Sequence, residues 1–110
     1  MRGELLQGTL DMLILKALSW GPMHGYGVAR WLQQLTDDPL QIEVGSLYPA
    51  LHGMNRRGWI AAQWGVSENH RRARYYSLTA EGRTQLQEQT SSWTRFSGVV
   101  AKVLHAEVAS

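Results

Sequence analysis

The sequence predicts a mainly α chain that carries one small β-hairpin and ends in a long helix. Three observations predict it. Apolar residues recur at helical spacing in four separate stretches. Two short strand-like runs flank a polar connection over 65–72. A stretch free of proline closes the chain after Thr79. With 110 residues, 44% of them hydrophobic, the chain suits one packed domain plus an appended helix.

The elements follow in order. Leu6, Leu10, Leu13, Ile14, Ala17 and Leu18 share one face of a helix over about 6–19, which Gly21-Pro22 stops. A second helix spans about 24–35, with Tyr26, Val28, Ala29, Leu32 and Leu35 as its apolar positions. Gly25 and Gly27 weaken its first turn. Thr36-Asp37-Asp38-Pro39 reads as a loop and Ile42-Glu43-Val44 as a short strand. Ser46 then caps a third helix, since its hydroxyl can accept from a free first-turn amide. Pro49 fits within that first turn, where no intrahelical donor is lost. Gly58 ends the helix after Arg57. Strands over 59–64 and 73–78 form the hairpin, and Thr79 caps a last helix over 80–107, roughly 40 Å long. Gly82 and Gly98 are its expected weak points. Three helices, a two-stranded wing and a long helix make a winged helix-turn-helix over 1–79, followed by a C-terminal helix over 80–110.

Composition excludes several classes. The chain has no cysteine, which removes disulfides, thiolate zinc sites and thiol nucleophiles together. His24, His52, His70 and His105 show no metal-ligand spacing, and no nucleophile elbow surrounds any serine. His24-Gly25-Tyr26-Gly27 lacks the further glycines and the lysine of a phosphate loop. The expectation is a protein that is not an enzyme and holds no metal or cofactor. Neither a signal pattern nor an apolar run of about 18–20 residues occurs, so the reading is soluble and cytoplasmic, without a membrane partner. Charge is unevenly spread. Between Ser46 and Leu78, five arginines face one glutamate, a net of +4 in a chain whose total is +2. Such a local basic face suits a polyanion, although a solvated charged surface would look the same.

The third helix sharpens this. Leu47, Ala50, Leu51 and Met54 recur at i, i+3, i+4 and i+7 and form its buried stripe. Its other side presents Ser46, Tyr48, Pro49, His52, Asn55 and Arg56, a donor-rich surface with no carboxylate. Hydroxyl, imidazole and amide groups of this kind reach base edges, while Arg56 and Arg57 at the far end suit phosphates. Taken alone, the pattern fits an ordinary amphipathic packing helix better than a DNA reader. The hairpin adds His70, Arg71, Arg72 and Arg74, placed to lie along a nucleic-acid backbone or enter a minor groove. Tyr75 and Tyr76 alternate, so one faces the core and the other solvent, unless both pack. Tyr26 is either a phosphate donor or a half-buried core aromatic. A winged helix used only for protein contact is the competing reading, and the acidic or apolar outer face it would favour is missing.

The runs Gly21-Pro22-Met23-His24-Gly25-Tyr26, Gly45-Ser46-Leu47-Tyr48-Pro49-Ala50-Leu51 and Arg72-Ala73-Arg74-Tyr75-Tyr76-Ser77-Leu78-Thr79-Ala80-Glu81-Gly82-Arg83 resemble the PadR family of transcriptional regulators. The resemblance covers about 6–86 and is closest to the short subfamily, which ends in one dimerising helix. It implies a homodimeric repressor that binds double-stranded DNA at a palindromic operator and is released by a small effector. It also implies that the helix start around Ser46, Tyr48 and Pro49 meets DNA.

The last helix points to a dimer on its own terms. Leu86, Trp93, Val100 and Glu107 are seven apart, and Gln89, Phe96 and Val103 fill the second seam position. Leu86, Trp93, Phe96, Val100, Val103 and Leu104 are the candidate dimer contacts, with packing across the chain's own first helix as the alternative. Ser92-Trp93-Thr94-Arg95 resembles the stretch by which short family members hold flat hydrophobic compounds. That resemblance makes Trp93 and Phe96 candidate contacts for an aromatic effector, or else residues that fill the seam.

Overall fold

The computed structural model describes residues 7–36 and 44–108. Its elements are α1 (Gln7–Leu18), β1 (Met23–His24), α2 (Gly25–Leu35), α3 (Val44–Arg56), β2 (Ile60–Val66), β3 (Arg72–Leu78) and α4 (Ala80–Leu104). This is the anticipated winged architecture with its long terminal helix. One element differs in place. The short strand precedes α2 rather than α3, and it pairs antiparallel with β3, Met23 opposite Tyr76 and His24 opposite Tyr75. The sheet is therefore three-stranded, in the order β1-β3-β2. Val44, expected in a strand, opens α3 instead. Ile42 and Glu43 lie outside the described residues.

The early start of α3 corrects two further expectations. Ser46 is inside the helix and is not its N-cap, and Pro49 falls beyond the first turn. Pro49 lacks the amide that would bond the carbonyl four residues back, that of Gly45. Gly45 is exposed with open space around it, so water can take that carbonyl. The buried stripe is as the spacing predicts. Leu47, Ala50, Leu51 and Met54 join Ile14, Leu15 and Leu18 of α1 and Val28 and Leu32 of α2 in one cluster. Burying each such leucine contributes about 1.5–3 kcal/mol. On the sheet, Tyr76 is buried while Tyr75 is half-exposed, so the two alternate.

Element ends are specified chemically. At the end of α3, Gly58 takes φ +81°, its amide bonds Asn55 O, and the Trp59 amide reaches back to Met54 O at 3.0 Å. That pair of bonds is a Schellman ending, which needs a left-handed residue and so favours glycine. In β2–β3, Ser67 N–H donates to Arg71 O and His70 N–H to Ser67 O. This is a type I turn followed by a left-handed residue, here His70 at φ +58°. Thr79 caps α4, its hydroxyl accepting from Gly82 N–H at 3.0 Å and lying 2.6 Å from Gly58 O. Gly82 is not a weak point of this helix. It is buried, and a Cβ there would collide with the Trp59 carbonyl oxygen. Helix α4 ends at Leu104, three residues earlier than expected, and His105 forms its C-cap. Its far half projects from the core and gives the molecule its extents of 65 × 29 × 21 Å. Among the described residues, no helix is long and apolar enough to cross a membrane.

Candidate nucleic-acid interface

Helix α3 is held by its apolar stripe, which fixes what the other side shows. Ser46, Tyr48, Pro49, His52 and Arg56 are exposed and Asn55 is half-buried. Tyr48 is 37% exposed. Its ring lies where a Cβ on Gly25 would stand, with Cε1 and the hydroxyl both 2.9 Å from that point. Tyr48 thus seats α3 on the first residue of α2. Arg57, expected to serve phosphates, is committed elsewhere. Its guanidinium pairs with the buried Asp11 of α1 at 3.4 Å and stacks 4.9 Å from the Trp59 ring centroid.

The start of α2 forms the next part of the surface. The His24 side chain accepts from Gly27 N–H through Nδ1 at 2.9 Å and so caps the helix. The ring also meets Tyr75 edge-on at 5.4 Å. Tyr26 is 64% exposed, which removes its reading as a half-buried core aromatic. Arg30, one turn along, lies 5.8 Å from the Tyr26 ring centroid.

The wing supplies the third part. Only Arg71 belongs to the turn region, because Arg72 and Arg74 lie within β3. Alternation puts those two on the face shared with Tyr76, and Trp64 is directly opposite Arg74 on β2. Both guanidinium groups lie over the Trp64 ring, at 4.4 Å for Arg72 and 5.9 Å for Arg74. Burial pushes the Tyr76 hydroxyl above its usual range, and the Arg74 charge opposes part of that rise. These three parts enclose one open groove, with Tyr26, Arg30 and Tyr48 on one side and Arg71, Arg72 and Arg74 on the other. Arg30 and Trp64 were absent from the candidates drawn from the sequence. Arg30 was discoverable, since it stands four residues after Tyr26 and hence on the same helix face. Ser46, Pro49, His52, Asn55 and Arg56 do not line the groove.

The C-terminal candidates separate into three groups. Leu86 packs on the core cluster, where α1 meets the first half of α4. The Trp93 and Phe96 rings lie 6.4 Å apart, tilted at 48°, and with Met12 and Gln89 line a second groove between α1 and α4. Val100 is half-buried, whereas Val103 and Leu104 are exposed along with Val99.

Comparison with known proteins identifies the family and the fold. The model of the transcriptional regulator PadR-like family matches residues 14–88. A PadR-like transcriptional regulator of known structure from Bacillus cereus is 28% identical, with a TM-score of 0.81 over 96% of this chain and 100% of that one. A transcriptional regulator from Clostridium thermocellum is also 28% identical, with a TM-score of 0.80 over 87% and 93% of the two chains. A PadR family regulator from Eggerthella lenta is 31% identical, with a TM-score of 0.76 over 92% and 86%. Proteins of this kind regulate transcription by binding DNA and are not enzymes. On both sequence and fold, the chain belongs to the PadR-like family of transcriptional regulators.

Proposed function

We propose that the chain acts as a homodimeric repressor that places its two α3 helices in successive major grooves of a palindromic operator. The observation that carries this reading is the groove, in which the α2 and α3 tyrosines face the wing arginines on one side of the molecule. Ser46, Pro49, His52 and Asn55 then face base edges, with Tyr48 beside them at the helix start. Tyr26, Arg56, Arg71, Arg72 and Arg74 meet the flanking phosphates. Residues 1–79 act as the DNA-binding unit, and 80–110 carry the dimerising helix, α4. The stripe of Phe96, Val99, Val103 and Leu104 supports the dimer, because no described residue covers it. Light scattering should give twice the chain mass. Phe96→Asp with Val103→Asp should yield monomers that still melt cooperatively but bind a selected palindrome no better than its half-site. A monomeric wild type would overturn the dimer.

The effector site is the groove between α1 and α4. It measures about 550 Å³ and is lined by Met12, Trp93 and Phe96, and a second α4 would close it. Gln89 Oε1 is buried there without a hydrogen-bond partner among the described residues. A flat aromatic with an N–H or O–H suits this lining, stacking on Trp93 and donating to Gln89. Planar aromatic dyes should quench tryptophan emission in the wild type and not in Trp93→Phe, and should release DNA only from the wild type. Equal quenching in both proteins would leave Trp93 a seam residue.

A further inference from the structure

We propose that Trp64 is a positioning residue for DNA contact, its ring holding the guanidinium groups of Arg72 and Arg74 ready for backbone phosphates. The inference rests on the reading of the wing face as a DNA surface, and it explains a residue that the fold does not require. Trp64 is 55% exposed and stands outside the core cluster. A large aromatic left this open on a hairpin usually has a partner. Here the partners are two arginines from the neighbouring strand.

The strand register produces this arrangement. Trp64 is opposite Arg74, and Arg72 lies two residues further along the same face. Nearer the core, that face carries Ile60 on β2 and Tyr76 on β3, both buried. Where the hairpin leaves the core, the same row of side chains continues as Trp64, Arg74 and Arg72. This row forms one wall of the groove that Tyr26 and Tyr48 line from the other side.

The chemistry favours an aromatic holder over an acidic one. A guanidinium is planar and carries its five N–H donors in the plane. Stacking on an indole uses its face and leaves those donors at the edge, free for a phosphate. A carboxylate would occupy the donors and cancel the charge. Among the described residues, neither Arg72 nor Arg74 has an ion pair or a side-chain hydrogen bond. An unsupported arginine on a hairpin must lose most of its rotamer freedom when it meets DNA. A stacked one has lost part of it beforehand, so binding is tighter by that difference. The same device recurs across the groove, where Arg30 lies over Tyr26.

The test needs no knowledge of the operator, because phosphate contacts are independent of sequence. A fluorescein-labelled duplex of mixed sequence is titrated by anisotropy at several salt concentrations. Trp64→Leu should weaken binding about three- to tenfold, the range a cation–π contact supports, with Trp64→Phe in between. In an Arg72→Gln, Arg74→Gln background, Trp64→Leu should have no further effect. The Arg72 Hδ resonances of the free protein should lie upfield through the indole ring current and return in Trp64→Leu. An undiminished effect of Trp64→Leu in the arginine-free background would mean that the indole itself touches DNA, and would overturn the inference. So would unchanged binding by Trp64→Leu in an otherwise wild-type chain. If Trp64→Leu does not fold, equal affinity of Trp64→Phe and wild type together with unshifted Arg72 resonances overturns it. A wild type that ignores the duplex would be a different failure, removing the wing face as a DNA surface and this inference with it.

Discussion

Gly82→Ala is expected to cost about 3 kcal/mol or more, in the upper range for overpacking, which for a domain of this size lowers the melting temperature by roughly 12 °C or more. The added methyl would meet the Trp59 carbonyl oxygen, with Leu78 Cδ1 2.9 Å away. That carbonyl is already engaged, accepting from Thr79 N–H at 3.1 Å. The Thr79 hydroxyl caps α4 through the Gly82 amide itself. One substitution therefore strains the start of β2, the end of β3 and the cap of α4 together. Gly98→Ala in the same helix is the control. Gly98 is exposed with open space around it, so alanine there should stabilise the helix by about 0.5–1 kcal/mol. Thermal melts of the two variants decide the matter, and a Gly82→Ala protein that melts with the wild type would remove the close approach.

The contrast between these glycines shows where the sequence was legible. Helix propensity treats Gly82 and Gly98 alike, because it registers the missing side chain and not the neighbouring backbone. The stripe of Leu47, Ala50, Leu51 and Met54 could be read because periodicity reports burial directly. Gly58 and Thr79 could be read because their end signals are local. By contrast, β1 is two residues long, too short to alternate visibly, and it exists through pairing with β3 more than fifty residues away. The start of α3 was misplaced because Ser46 and Pro49 both imitate a helix beginning. For the site, exposure of the α3 face followed from its buried face. Partnerships across elements did not. Arg57 looked like a free basic residue until α1 brought Asp11 to it. Trp64 had no role beyond its place at the end of a strand until the register brought Arg74 opposite.

Replacing Arg71, Arg72 and Arg74 together by glutamine is expected to weaken binding to every duplex alike. Each phosphate left without its arginine lowers the slope of log affinity against log salt by about 0.9, so three lower it by about 2.7 per protomer. At about 0.1 M salt that corresponds to a loss on the order of 10²-fold. Stability should hardly change, since all three side chains are exposed and none is ion-paired among the described residues. His52→Ala should behave in the opposite way. It is exposed in the middle of α3, away from the wing arginines, and carries a side chain able to face a base edge. Its removal should cost about 1–3 kcal/mol at the preferred sequence, little elsewhere, and leave the salt slope unchanged. Salt titrations on a selected operator and on mixed-sequence DNA separate the two behaviours. A glutamine variant that kept its slope would move the phosphate contacts off the wing. A His52→Ala variant that lost affinity uniformly would make the middle of α3 a backbone-tracking surface. Sequence reading would then have to come from the start of that helix, where Tyr48 is seated on Gly25.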